Sequence, residues 1–436
     1  MKNILIYLLL MILTSSVAFA QNKANEDFSI SVQKEGSSGS PFSQSKFVPD
    51  ISLILDASYV WRSIKDEKIN TLSSPEFTHA MSEEDAHENM NSRNGFNFNY
   101  AELTFYSVVD PYFDLFAVCH FSKDGAEIEE GYFTTTALPY GFQLKGGNFL
   151  SHFGRINEQH AHYWDFAEIP LAYQTFFGAE GLNETGGRLT WVAPIDFYLM
   201  FGSEVLMGSN ETTFGNEGFT SADGSVNVKG NNGPNLSVSY VKTSFDMGDL
   251  VVLAGASGAF GRTRINHGID ISGEEGHAMQ GKSYVLGGDL TLKYQIDSIR
   301  FLSLQSEYLY RNMKGSLYEK DAADAVSESD IDKKQSGFYS QLVGKFSKRW
   351  RIGLRYDLLQ LNDVKENGSK KNLPDNLPRY SAMTDYNPTE FSRIRLQYNC
   401  DMSKYETAGD TYSRKINHEV FLQINLAIGA HGAHSF

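Results

Sequence analysis

The connections between segments of this sequence constrain its fold more than any other feature. Short turns such as VVDPYFD, ALPYG, VAPID, FDMGD, QIDSI, FSKRW and YNPTE alternate along the chain with long polar segments. The long segments are 64–94, 152–184, 208–234, 262–282, 314–335 and 362–378, with shorter ones near 122–127 and 401–415. Tight turns on one side and long loops on the other are typical of transmembrane β-barrels. A soluble β-sandwich has no reason to keep this order.

Between the connections, apolar and polar residues alternate with the period of a β-strand. WRIGLRYDLL and SRIRLQYN each place apolar side chains on one face and charged ones on the other. A sandwich would turn the polar face outward, whereas a membrane barrel turns it toward a wet lumen. In a barrel the arginines of these two segments would therefore face the lumen: Arg351, Arg355, Arg393 and Arg395.

We predict an all-β chain that forms an antiparallel barrel over residues 51–436. Counting with the turn rule gives about sixteen strands, and single-chain bacterial barrels have an even number. The predicted strands are 51–63, 95–109, 112–122, 127–137, 140–151, 185–193, 196–207, 235–246, 249–261, 282–296, 299–313, 336–347, 350–361, 379–386, 390–401 and 416–428.

The N-terminus predicts export. MKNILIYLLLMILTSSVAFA has one lysine, a short apolar run and an A-x-A-type end, which is the pattern of a signal peptide over residues 1–20. Residues 21–50, rich in Ser and Gly, are expected to be a periplasmic tail. The remaining chain has no run near the ~20 apolar residues of a transmembrane helix, yet aromatic residues make up 13% of the sequence.

Charge and cysteine content exclude other classes. A net charge of −15 argues against a nucleic-acid partner. Cys119 and Cys400 are the two cysteines, so a disulfide is allowed but no disulfide framework exists. The motifs G-x-S-x-G, H-E-x-x-H, G-x-G-x-x-G and the P-loop are absent from the sequence, so we do not expect an enzyme.

Several phrases resemble one family of proteins. FVPDISLILDASYV, FGRINEQHAHYWDF, IPLAYQTFFGAEGLNETGGRLTWVAP, YNPTEFSRIRLQYN and the terminal GAHGAHSF are similar to a group of poorly characterised, porin-like proteins of Gram-negative bacteria. Some members are labelled zinc-regulated, TonB-dependent outer-membrane receptors. A TonB-dependent receptor has a plug domain of over a hundred residues, and about thirty residues separate the predicted signal peptide from the first predicted strand here. The resemblance therefore implies a plugless barrel in the outer membrane.

The C-terminal segment resembles the sorting signature of Gram-negative outer-membrane proteins. Apolar residues alternate from Val420 to Ala430, and the final residue, Phe436, falls on the same phase. This resemblance implies that Phe436 is recognised by the barrel-assembly machinery and that the outward face of the barrel contacts outer-membrane lipid. Porins of this size are often trimers, so a homotrimer is one expected state.

The expected function is a channel through which small hydrophilic solutes or ions diffuse. Its rivals are a substrate-specific or zinc-related receptor without a plug, and a structural or adhesive barrel. Segment 152–184 is too apolar for a freely solvated loop, because it contains Trp164, Phe166, Tyr173, Phe176 and Phe177. We expect it to fold into the barrel and narrow the pore. The candidate residues of this constriction are Arg155, Glu158, His160, His162, Asp165 and Glu168.

Metal binding is a second interpretation of this loop. On an extended segment His160 and His162 point to the same side, and imidazole with carboxylate suits zinc. Since a zinc site needs three or four ligands, these two histidines alone do not define one, and no cofactor is firmly implied. Other histidines lie beside acids in predicted outer loops or at the chain end: His79, His87, His267, His277, His431 and His434.

The four lumen arginines also have two interpretations. They could set the ion selectivity of the pore and provide a path for an anionic solute. Alternatively, they could pair with acids in the lumen, such as Asp357, and brace the barrel. The sequence favours neither.

Overall fold

The computed structural model describes residues 49–77, 90–123, 125–210, 212–409 and 411–429. The predicted signal peptide and all of the predicted tail except its last two residues lie outside the described residues. So do four of the histidines and the terminal phenylalanine named above: His79, His87, His431, His434 and Phe436.

Sixteen antiparallel strands close into a barrel, which confirms the predicted fold. Each strand pairs with its neighbours in sequence, and the first also pairs with the last, so that Ser52 lies opposite Gly429. The strands are β1 Asp50–Arg62, β2 Gly95–Asp110, β3 Phe113–Phe121, β4 Ala126–Thr135, β5 Phe142–Leu150, β6 Asn183–Val192, β7 Tyr198–Leu206, β8 Leu236–Met247, β9 Leu250–His267, β10 Gly276–Gln295, β11 Phe301–Lys320, β12 Val326–Lys345, β13 Trp350–Glu366, β14 Leu377–Thr389, β15 Ser392–Ala408 and β16 Thr411–Gly429.

Smaller elements belong to the connections. Ser369–Lys370 pairs with the outer end of β13, and Phe219–Thr220 pairs with Asn227–Val228. Within the described residues the helices are α1 (Asp66–Ile69), α2 (Leu171–Phe177) and two single 3₁₀ turns, Pro139–Gly141 and Ala161–Tyr163. Among the described residues, no helix is long and apolar enough to cross a membrane.

The predicted loops 262–282, 314–335 and 401–415 were wrong over most of their length. Strands β9 to β12 run well past the predicted ends, and only short turns separate them at the side of the long loops. The sequences of these extensions, such as VSESDIDKKQ in β12, are polar on both faces. A strand that extends beyond the hydrocarbon has water on its outer face, so it loses the apolar alternation that identifies a membrane strand.

Along the strands, apolar side chains are exposed and charged side chains are buried, which is the reverse of the pattern in a soluble protein. In β13, Ile352 and Leu354 are 53% and 62% exposed on the outside, whereas Arg355 and Asp357 are 3% and 0% exposed inside. Large apolar side chains cover the outer face of the other strands in the same way, for example Ile51, Tyr59 and Trp61 in β1. Lipid is the solvent that stabilises such a surface. Both cysteines, in β3 and β15, are free thiols.

We predict that a charge on this outer face destabilises the barrel. Leu354→Arg should lower the free energy of unfolding in lipid by about 2–4 kcal/mol, as for arginine near the bilayer midplane. The control Leu354→Ala removes the same side chain without adding a charge and should cost clearly less. Equal losses in the two variants, measured by denaturant unfolding in vesicles, would show that this face does not contact hydrocarbon.

Candidate functional site inside the barrel

The third loop, residues 151–182 between β5 and β6, lies inside the barrel. Its side chains Phe153, Tyr173 and Phe176 have 0% exposure and share one apolar cluster with Leu309 and Tyr339 of the barrel wall. The loop contains α2, which packs against β12 and β13. Aromatic side chains that would be costly to expose to water are thus buried against inward-facing wall residues.

One wall carboxylate holds the first part of this loop. Glu307 of β11, 3% exposed, accepts hydrogen bonds from the backbone N–H groups of Arg155 (2.8 Å) and Ile156 (2.9 Å). The hydroxyl groups of Tyr173 (2.6 Å) and Tyr339 (2.5 Å) also donate to it. A buried loop without strand partners must satisfy its backbone donors in another way, and Glu307 provides the acceptors.

Further wall side chains anchor the rest of the loop. Asp357 of β13 accepts from the N–H of Leu171 and Gln397 of β15 from the N–H of Ala167, both at 2.8 Å. Gly154 has φ +64°, and a Cβ there would collide with the Tyr173 hydroxyl and the Glu307 carboxylate. Glycine is therefore required where the loop comes closest to its anchor.

The first two constriction candidates lie together at one opening. Arg155 Nη1 is 2.7 Å from Glu158 Oε1, and Glu158 Oε2 is 3.1 Å from Lys242 Nζ and 3.3 Å from His152 Nε2. These four residues and Asp289 line a cavity of about 710 Å³. Residues of the short turns also line it, so the cavity lies at the short-turn end of the barrel, which faces the periplasm in barrels of this kind.

His160 and His162 lie against the wall formed by β2 and β4. His160 is 3.1 Å from Glu129 through Nδ1 and 2.8 Å from Glu130 through Nε2, whereas His162 Nδ1 is 3.0 Å from Glu102. The two imidazole rings are stacked, with centroids 5.6 Å apart, but each contacts a different carboxylate. The contacts therefore join the two histidines to the wall separately.

Asp165 and Glu168 face the lumen arginines. Asp165 binds Arg351 at 2.9 Å, and Glu168 accepts from Arg379 of β14 at 3.2 Å. Through its backbone carbonyl, Glu168 also accepts from Arg355 at 2.8 Å. The six constriction candidates thus form three separate groups around the loop, not one ring.

Acids of the wall share the same arginines. Asp385 of β14 binds Arg351 (2.6 Å) and Arg395 (2.8 Å), and Asp357 binds Arg355 at 2.9 Å. Arg393, 5% exposed, lies on the same wall. Strand alternation identified these arginines, but their acidic partners lie on other strands or in the loop. The site residues missed by the sequence analysis are His120, Glu102, Glu129, Glu130, Lys242, Glu307, Arg379 and Asp385.

Two histidines in the first part of the loop have opposite character. At His152, burial and then the nearby Arg188 and Lys242 disfavour the imidazolium and lower the pKa well below its ordinary value. At His160, burial also opposes the charge, but Glu129 and Glu130 outweigh it and raise the pKa well above the ordinary value. The loop therefore carries a neutral imidazole at His152 and a cationic one at His160.

Comparison with known proteins agrees with this architecture. No model of a known protein family matches the sequence. A protein of Aquifex aeolicus (strain VF5), described as uncharacterized, is 50% identical over 397 residues, which are 91% of this chain and 82% of that protein. This chain belongs to the same family.

Solved structures show the same fold. OmpT, an outer-membrane protein of Vibrio cholerae, and the outer-membrane channel DcaP of Acinetobacter baumannii each align with a TM-score of 0.51 and 10% identity. Each alignment covers 88% of this chain and 99% of the other. This chain therefore has the fold of porin-like outer-membrane barrels.

We predict that Glu307 is the main anchor of the third loop. Glu307→Gln places an amide N–H₂ against several donors and should destabilise the protein by about 2–4 kcal/mol. Because the loop should leave the lumen before the barrel unfolds, trypsin should cleave the chain after Arg155 while the barrel is still folded. The control Glu319→Gln changes an exposed carboxylate on the same strand and should leave the loop resistant. Equal cleavage of the native protein, Glu307→Gln and Glu319→Gln would refute the assignment of Glu307 as the main anchor.

Proposed function

We propose that the protein is a diffusion channel of the outer membrane for small hydrophilic solutes or ions. The lumen is narrowed by the third loop, and the passage runs along the charged cavity beside Arg155 and Glu158. The porin-like fold supports a channel, and DcaP, which shares that fold, is described as one.

The charged cavity is the observation that carries this proposal. At about 710 Å³ it has the size of a small-molecule site. Basic Arg155 and Lys242 and acidic Glu158 and Asp289 line it from both the loop and the wall. These charged side chains can replace the water molecules that a hydrophilic solute loses on entry. The apolar cluster behind the loop offers no charged side chains that could do so.

The arginines of β13 and β15 act as braces in this proposal. Arg351, Arg355 and Arg395 each pair with a buried or half-buried acid, so little of their charge is left to attract an anion. Their guanidinium groups also donate to loop carbonyls, as Arg395 does to Trp164 at 3.0 Å. For these three arginines, the contacts support the bracing interpretation.

We also propose a homotrimer. A solved structure of OmpT described as a trimer form has a TM-score of 0.50 over 88% of this chain, at 10% identity. The mass of the complex extracted in mild detergent tests this state, and a monomer mass would reject it.

Planar-bilayer recording tests the channel directly. The native protein should give a steady, small open conductance without added metal or ligand, because the loop narrows the lumen but leaves the charged cavity. Glu307→Gln should increase that conductance, and Glu319→Gln should leave it unchanged. A native protein with no conductance would reject the channel and favour a receptor if it binds a ligand, or a structural barrel if it does not.

Two matched variants test where selectivity arises. Lys242→Gln removes a positive charge from the cavity and should make the channel more cation-selective. Glu158→Gln removes the neighbouring negative charge and should make it more anion-selective. The reversal potential under a KCl gradient should therefore move in opposite directions. If neither variant moves it, ions do not pass through this cavity.

A further inference from the structure

Six side chains on the β2–β4 wall and the third loop form one continuous cluster. Glu102 contacts both His162 (3.0 Å) and His120 (3.4 Å), and Glu129 contacts both His120 (2.9 Å) and His160 (3.1 Å). Glu130 contacts the other nitrogen of His160. Imidazole and carboxylate thus alternate through the whole cluster.

Local irregularity of the barrel builds this cluster. Glu102 and His120 lie directly opposite each other on β2 and β3. Between β3 and β4 the register shifts, because Val118 pairs with Glu130 and Cys119 with Ile128. Glu129 is the extra residue of this β-bulge, so two consecutive glutamates both reach the lumen. Regular alternation would have turned one of them toward lipid, and bulges commonly redirect a side chain beside a site.

We propose that Glu102, His120 and Glu129 bind a divalent transition-metal ion, with His160 of the third loop as fourth ligand. Glu102 Oε2, His120 Nε2 and Glu129 Oε2 are ligand atoms that all lie within 4.8 Å of one another. A set of two imidazoles and two carboxylates suits zinc or a neighbouring borderline ion, and suits magnesium or calcium poorly.

The distances are close to those that such an ion requires. Ligands about 2.0–2.2 Å from zinc lie about 3.4 Å apart in a tetrahedron. Here His120 Nε2 is 3.4 Å from Glu102 Oε2 and 2.9 Å from Glu129 Oε2, and His160 Nδ1 is 3.1 Å from Glu129 Oε2. These three pairs are within about half an ångström of that separation. His160 lies outside the group of atoms within 4.8 Å of one another, so the third loop would have to bring it closer to Glu102 and His120 to complete the site.

The surroundings hold the ligands in place and leave a path to them. The ring of Tyr100 stacks on His120 with centroids 4.7 Å apart, and Glu130 binds the backbone N–H of Leu150 at 2.7 Å while contacting His160. Such neighbours orient metal ligands. A cavity of about 230 Å³ lined by Asp50, Glu102, His160 and His162 reaches the cluster from the short-turn end.

Binding would exchange protons for metal. The imidazole nitrogens must be deprotonated to act as ligands, so the ion displaces protons from the cluster and affinity falls as the solution becomes acidic. Because His160 belongs to the loop and the other ligands to the wall, the ion would also fix the third loop to β2–β4. This role is independent of whether the barrel conducts.

The test uses the full chain without a histidine tag, purified in detergent and stripped with a chelator. Calorimetry with Zn²⁺ should show one ion per chain, and Co²⁺ should give the visible absorption of a four-coordinate nitrogen and oxygen site. His120→Asn and Glu129→Gln should each weaken binding at least about tenfold. Heat-modifiable migration on gels shows whether each variant folds. If one variant does not fold, metal binding by the other one tests the proposed site.

Two controls separate this site from other histidines. His152→Asn changes a loop histidine that lies outside the cluster, beside Glu158, and should leave metal binding unchanged. The double variant His267→Asn/His277→Asn removes a pair whose rings lie 5.0 Å apart on β9 and β10, and it too should bind normally. The proposal is overturned if the native protein does not bind Zn²⁺, if His120→Asn and Glu129→Gln both bind normally, or if the outer pair accounts for the binding.

Discussion

The structure depends on buried wall carboxylates that accept hydrogen bonds from the third loop. A segment that enters a barrel leaves behind both water and strand partners, and each unsatisfied backbone donor there would cost about 1–3 kcal/mol. Glu307 and Asp357 meet this requirement for Arg155, Ile156 and Leu171. With these bonds in place the aromatic side chains of the loop are buried against the wall, and Arg155 and Glu158 are left to line the remaining cavity.

With the third loop in this position, the charged residues of the lumen form three separate groups. On one wall the arginines are neutralised by acids of the wall and loop, while the β2–β4 wall carries the cluster of histidines and glutamates. The third group, around Glu158 and Lys242, borders a cavity of about 710 Å³ at the short-turn end. Bracing, the inferred ion site and the proposed passage therefore occupy different parts of one barrel interior.

Much of the barrel could be predicted because its signals are local. Turn residues and period-2 alternation gave all sixteen strands, and the aromatic content of the third loop indicated burial. The extensions of β9 to β12 were missed because water on their outer face removes that alternation. The site was harder, since Glu307 and His120 lie on distant strands and their pairing requires the register. Glu129 was hidden for a different reason: the bulge that turns it inward leaves no mark in the hydrophobic pattern.

Amide hydrogen exchange of the intact protein in detergent tests the central claim, that the third loop is built into the barrel by buried hydrogen bonds. The amide protons of Ile156, Ala167 and Leu171 have wall acceptors and should exchange as slowly as those of the paired barrel strands. If peptides spanning 153–173 exchanged as fast as the exposed short turns, the loop would be solvated and this account of the lumen would be wrong.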